Sequence, residues 1–265
     1  MLQKFTNTRP YAQPLSSIPA NGERYTLPSD FVDGLAFLRP FVKPRGKLAE
    51  WWVHLLGGKL YIITNELIID YEIGSNELQD VSFSQNAIRV LEAFGSPPSE
   101  VCQQHYRLHF GWDDGQEFLI DSDRGFMNHR SIYQPGRGYV ESAADAFDRF
   151  LQFNDSVEIG DTTRREIRRM HGGAKLAKDI FLNEQEIVSR MSSDGKTWTL
   201  ETSTPFLNNT DRVMRFDRKA FLGMIKIADE INFATSPVCF RHEHERGMLI
   251  EQTLGADLPD FEEVA

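Results

Sequence analysis

Four arginines within six residues, Arg164, Arg165, Arg168 and Arg169, are the densest group of side chains in this sequence that can act on another molecule. Guanidinium groups stay charged at any physiological pH, and their forked N–H donors hold anions, phosphates above all. Arg164/Arg168 and Arg165/Arg169 are spaced i,i+4, so on a helix they form a stripe that repels itself. An anion placed opposite relieves that repulsion. Between Val157 and Lys178 six bases meet three acids, which makes the segment +3 and leaves −13 for the rest of a chain whose formal charge is −10. Lys175 and Lys178 extend this group, while Arg218, Lys219 and Lys226 form a second one. A solvated helix face accounts for a single run of this kind. Two basic helices in an acidic chain leave a solvated face and an anionic partner as equal alternatives.

Other constellations carry less. His242 and His244 could share one face of a strand, as two metal ligands do, but no third ligand accompanies them, and no metal is expected. Asp113-Asp114 precedes Gly115, and an Asp-Gly hairpin turn explains the pair better than paired acid–base catalysis. Gly57-Gly58-Lys59 lacks the upstream glycine of a phosphate loop. Gly136-Arg137-Gly138 matches no dinucleotide fingerprint. Neither Cys102 nor Cys239 has a nearby histidine that argues for an activated nucleophile. The reading is a protein without catalysis and without a cofactor.

The elements that would position the basic groups recur four times. Strands beginning at residues 25, 81, 157 and 214 are each followed by a polar capping residue and an apolar-periodic helix. The capping candidates are Ser29 or Asp30, Ser84 or Asn86, Asp161 or Thr162, and Asp217. After each helix come runs that read as antiparallel strands, with Gly57-Gly58, Asp114-Gly115 and Asp194-Gly195 at hairpin turns. Each repeat is thus β-α-β-β-β, and the chain is expected to be α+β with two similar domains of two repeats each. The expected boundaries are an extension over 1–22, domains over 23–134 and 157–254, a connector over 135–156 with an acidic stretch from Glu141 to Asp148, and an acidic tail over 255–265.

Composition agrees with this size. The 265 residues are 40% apolar and 26% charged, as in ordinary globular proteins. No apolar run approaches the roughly 18 residues of a membrane span, so no membrane partner is expected. The N-terminal MLQKFTNTRPYAQP has no secretory apolar run, and two cysteines far apart suit a reducing compartment. The expected location is the cytoplasm of a host cell, or the nucleus in a eukaryote.

Repeated β-α-β-β-β units with basic helices in an acidic chain resemble a DNA polymerase sliding clamp. The resemblance is to the two-domain type of the proliferating cell nuclear antigen and the T4-like phage clamps. Residues 216–254, which run helix, strand, Ser236-Pro237, hairpin and last strand, carry it most specifically, and residues 30–42 with 51–65 resemble a clamp's first repeat. The likeness covers about residues 23–254 as a pattern.

It implies a head-to-tail ring with helices on the inner face and antiparallel sheets on the outer face. Six domains close such a ring, so two per chain imply a homotrimer of 3 × 30.4 kDa. Double-stranded DNA would be held without reading of sequence by Arg164, Arg165, Arg168, Arg169, Lys175, Lys178, Arg218, Lys219 and Lys226, with Arg89 from the first domain. That domain departs from the pattern, because its first helix carries Asp30 and Asp33 and its second sets Glu92 beside Arg89; Lys43, Arg45 and Lys47 are candidates to compensate. Partner peptides, including those of DNA polymerase, would dock near Pro237, Leu254, Ala256, Tyr139 and Val140. Subunits would meet through strands near Phe126, Ile132 and Tyr133 and near Trp198 and Leu200. A clamp loader is the implied opener of the ring. Two rival readings stand beside this one: a monomeric α+β protein whose basic helix binds an acidic protein or RNA, and an enzyme of unfamiliar family.

Overall fold

Each of the four expected repeats opens with a short strand, and that strand leaves its own repeat. The computed structural model describes residues 23–43, 52–75, 78, 81–104, 107–121, 137–174, 176–191 and 199–254. They divide into two compact units, one within residues 1–61 and 72–140, the other within residues 62–71 and 141–265.

In the first unit, β1 (Glu23–Thr26) pairs with β6 (Glu100–Gln104), which continues through β7 (Arg107–Gly111) to β8 (Glu117–Asp121). The strand that opens the second repeat, β5 (Val81–Ser84), pairs in turn with β2 (Trp52–Leu56), which pairs with β3 (Lys59–Ile63). The repeats have exchanged first strands, so neither has a complete sheet alone. Helices α1 (Phe31–Leu38) and α2 (Gln85–Glu92) pack against each other. Their buried sides, Phe31, Leu35 and Leu38 with Ala87, Ile88 and Leu91, recur at helical spacing. Phe31 meets the Phe83 ring edge-on at 5.7 Å and lies 6.5 Å from Phe110, forming an aromatic centre.

The second unit repeats the exchange. β9 (Val157–Glu158) pairs with β14 (Glu230–Asn232), and the sheet continues through β15 (Val238–His242) and β16 (Glu245–Leu249) to β4 (Leu67–Glu72). β13 (Met214–Asp217) pairs with β10 (Asp179–Leu182), followed by β11 (Glu186–Met191) and β12 (Thr199–Pro205). Gly247 on β16 lies directly under the Phe240 ring, where an added Cβ would fall 1.9 Å from the ring, so only glycine fits. Helices α4 (Asp161–Gly173) and α5 (Arg218–Ile227) pack together. α5 also lies against strands of both sheets, burying Phe221, Met224 and Ile225.

Local chemistry explains the helix starts in two repeats. Ser84 accepts a hydrogen bond from the Ala87 N–H at 3.2 Å, and Asp217 from the Ala220 N–H at 2.9 Å. The other two starts differ from expectation. Asp30 spends its carboxylate on the Gly74 N–H, and α4 begins after Gly160, with neither Asp161 nor Thr162 as its cap residue.

Among the described residues, one strand and one α-helix escape the sequence reading. β6 is a short run with polar ends, and the supposed connector contains helix α3 (Arg137–Phe150). Ala144 and Phe147, buried three residues apart, were the available helical signal.

Candidate nucleic-acid interface

Helices α4 and α5 carry seven bases and two acids between them, whereas α1 and α2 carry one base, Arg89, and two acids. The structure sorts those seven bases into two kinds. Arg164 is largely buried, with 17% of its side chain exposed. Its guanidinium donates to the Ala228 carbonyl at 2.8 Å, to the Asp229 carboxylate and, at 3.1 Å, to Asp161. Ala228 is the C-terminal cap of α5, so the cation also sits where that helix's carbonyls concentrate negative charge. Arg218, at the first turn of α5, donates to the Ala177 carbonyl at 2.7 Å and to the His171 carbonyl near the end of α4 at 3.0 Å. Each helix is therefore tied to the far end of the other.

The remaining bases face outward. Arg165, Arg168 and Arg169 are exposed on α4, which buries Ile167 and His171, and Lys219 and Lys226 are exposed on α5, seven residues apart and so on one face. Arg165 donates to the Asp161 carbonyl of its own helix, and Lys178 is exposed just before β10. Lys175 lies outside the described residues. Arg164 and Arg218 thus differ from the other cations assigned to DNA, because each spends guanidinium donors within the protein.

Beneath α4 lies a feature that the sequence reading missed. His171 is fully buried, its Nδ1 2.8 Å from Ser189 Oγ and its Nε2 3.0 Å from Thr204 Oγ1. Burial, helped by the nearby Arg218 charge, pushes its pKa down to about 4, so the imidazole is neutral and joins α4 to β11 and β12. Its spacing of four residues from Ile167 placed it on the apolar face, which was the signal available. Around Arg164, burial raises the Asp229 carboxyl, but hydrogen bonds and charge from His242 and Arg164 outweigh it and hold the carboxyl below its ordinary value. His242 Nδ1 is thereby engaged with Asp229. No three His, Cys, Asp or Glu side chains gather as a metal site among the described residues.

In the first unit, Arg89 is exposed, as is Asp33, while Arg39 is paired with Glu92. Lys43 is half-buried, and Arg45 and Lys47 lie outside the described residues. One sequence statement is corrected here. Cys102 does have a histidine beside it, because His109 is its cross-strand partner in the β6–β7 ladder. Both are buried, and burial pushes the Cys102 thiol up despite the opposing charge of Arg24, the reverse of an activated nucleophile.

The strand edges and the peptide residues are only partly described. β12 ends its sheet and carries Leu200, 37% exposed. At the other end of that sheet, the Gln252 N–H donates to the Arg215 carbonyl of β13, so the C-terminal segment occupies that edge. β8 ends the sheet of the first unit. Phe126, Ile132, Tyr133 and Trp198 lie outside the described residues. Pro237, joined to Ser236 by a cis peptide, and Leu254 are half-buried, Ala256 lies outside the described residues, and Tyr139 and Val140 belong to α3.

Comparison with solved structures decides the fold. The Helicobacter pylori beta clamp in complex with diflunisal superposes with a TM-score of 0.60, covering 92% of this chain and 70% of that one at 11% identity. A DNA polymerase sliding clamp from Pseudomonas aeruginosa gives 0.59 over 91% of this chain and 70% of its own, at 10% identity. This chain has the sliding-clamp fold. The H. pylori beta clamp bound to a DNA ligase peptide matches equally well, with a TM-score of 0.60 and 11% identity over 92% of this chain and 70% of that one. No family model and no curated protein matches the sequence. No helix among the described residues is long and apolar enough to cross a membrane.

Proposed function

We propose that this protein is a non-enzymatic DNA sliding clamp, a ring that encircles duplex DNA and tethers DNA polymerase and other replication proteins to it. The observation that carries the reading is the pairing of the clamp fold, present in two units of one topology, with an outward-facing set of cations on α4 and α5 in an otherwise acidic chain. Head-to-tail association of two units per chain closes with three copies. The open edge of β12, with Leu200 on it, and the edge of β8 are the strands offered for pairing between copies, which also removes an aggregation hazard. Retention is topological, and weak, sequence-independent phosphate contacts let the ring slide. A clamp loader opens it. A peptide site near Pro237 and Leu254 takes the partners' short apolar segments, and replication, phage-borne or cellular, is the setting.

Mass in solution tests this reading. Sedimentation at micromolar concentration is expected to give a species of 3 × 30.4 kDa. Leu200→Asp, which places a charge on the β12 edge, is expected to shift that species to a monomer that remains folded. A stable wild-type monomer counts against the ring and for the reading in which the basic helix binds an acidic protein or RNA.

A further inference from the structure

The sorting of cations in the second unit, and their scarcity in the first, say more than that the protein holds DNA. On α1 and α2 the exposed charges are Arg89 and Asp33, which offset each other, and Arg39 is consumed by Glu92. On α4 and α5, five exposed cations stand against the exposed acids Asp161 and Glu166. Arg164 and Arg218 do not add to the five. Each makes hydrogen bonds that fix the opposite helix end, and meeting a phosphate would require giving them up.

We propose that the duplex is gripped by the helix pair of the second unit alone, through Arg165, Arg168, Arg169, Lys219 and Lys226. A ring of three copies then holds DNA at three α4–α5 pairs, alternating along the chain with α1–α2 pairs whose described exposed charges offset each other. Arg164 and Arg218 act as braces that keep α4 and α5 together. This inference rests on the clamp reading for its geometry, yet its charge assignment is testable separately. An alternating grip leaves gaps between contacts, and a duplex held at three places can rock as it slides.

Salt dependence of binding to duplex DNA reads the number of phosphates met, at about 0.9 in the slope of log K against log[salt] for each. The full-length protein is titrated with a closed circular duplex. Changing Arg165, Arg168 and Arg169 together to Ala is expected to lower the slope by about 2.7 with melting temperature unchanged, and Arg168→Gln alone by about 0.9. Arg89→Ala is expected to leave the slope as it was. Arg164→Lys keeps the charge but loses the forked geometry, so it is expected to lower the melting temperature and spare the slope.

A slope that falls as much for Arg89→Ala as for Arg168→Gln overturns the alternating grip, as does a slope indifferent to the triple change. Arg164→Lys that melts like wild type overturns the brace. Should wild type bind closed and linear duplex alike, the ring reading fails, while the slopes still report which helix pair meets phosphate. Absence of duplex binding at any salt overturns both.

Discussion

The helix pair α1–α2 and the helix pair α4–α5 hold equivalent places in two units of one topology, yet they are built differently. Beneath the first lies an aromatic centre of Phe31, Phe83 and Phe110, and its outer face is nearly neutral. Beneath the second, α5 buries Phe221, 5.7 Å from the Phe216 ring, with Met224 and Ile225, but α4 buries only Ile167 and a hydrogen-bonded histidine, and the outer face is strongly basic. Packing secures the first pair, with one ion pair, Arg39 to Glu92, at its end. The second must overcome repulsion among its own arginines, and it does so with polar ties: His171 to Ser189 and Thr204, Arg164 to the end of α5, and Arg218 to the end of α4. The difference teaches that a strongly charged face needs directional anchors behind it, because a small apolar stripe does not offset like-charge repulsion and still fix the helix axis.

That contrast predicts a ranked set of outcomes. Phe31→Ala empties the aromatic centre and is expected to cost about 4 kcal/mol, read as a fall in the urea midpoint. His171→Ala, which leaves two buried hydroxyls without their partner, is expected to cost about 2 kcal/mol and to loosen α4 more than α1 by hydrogen exchange. Equal loosening of the two helices would break the contrast.

Acid should act on the same side of the comparison. The His171 pKa is held at about 4 against an ordinary 6.5. Its contribution is therefore complete above about pH 6.5 and is lost progressively as the pH falls toward 4, because the unfolded chain takes up the proton first. Between pH 7 and pH 5 the second unit is expected to lose up to about 2 kcal/mol, seen as reduced protection of α4 after correction for the intrinsic exchange rate. His171→Gln should remove most of this pH dependence. The smallest effect is a gain: Asp33→Lys with Asn86→Lys places two cations on the neutral pair and is expected to change stability by less than about 0.5 kcal/mol. If that face borders the duplex, the salt slope rises by up to about 1.8, which sharpens the comparison by showing that only charge separates the two pairs.

Much of this was legible from residue order. The strand starts at 81, 157 and 214, the caps Ser84 and Asp217, and the apolar faces of α1, α2 and α5 follow from local patterns that need no knowledge of distant contacts. The exchange of first strands was not legible, because nothing in β1 or β13 states which repeat supplies its partner; that is decided by how the whole unit closes. β6 was too short and too polar at its ends to stand out, and α3 was hidden by an acidic run that reads as linker. At the site, sequence located the basic helices but gave every cation one role. Arg164 and Arg168 sit one turn apart with identical chemistry, and only the position of Ala228 and Asp229 in the fold turns the first inward. Cys102 and His109 met for the same reason, across a hairpin whose register the residues do not announce.

The most direct measurement of the central claim uses topology itself. The protein is assembled on a closed circular duplex, and its retention is followed through gel filtration at moderate salt before and after a single cut in the DNA. A ring is expected to stay on the closed circle and leave once the ends are free, with the loss independent of the sequence at the cut. Equal retention on closed and cut DNA, or equal loss from both, contradicts encirclement.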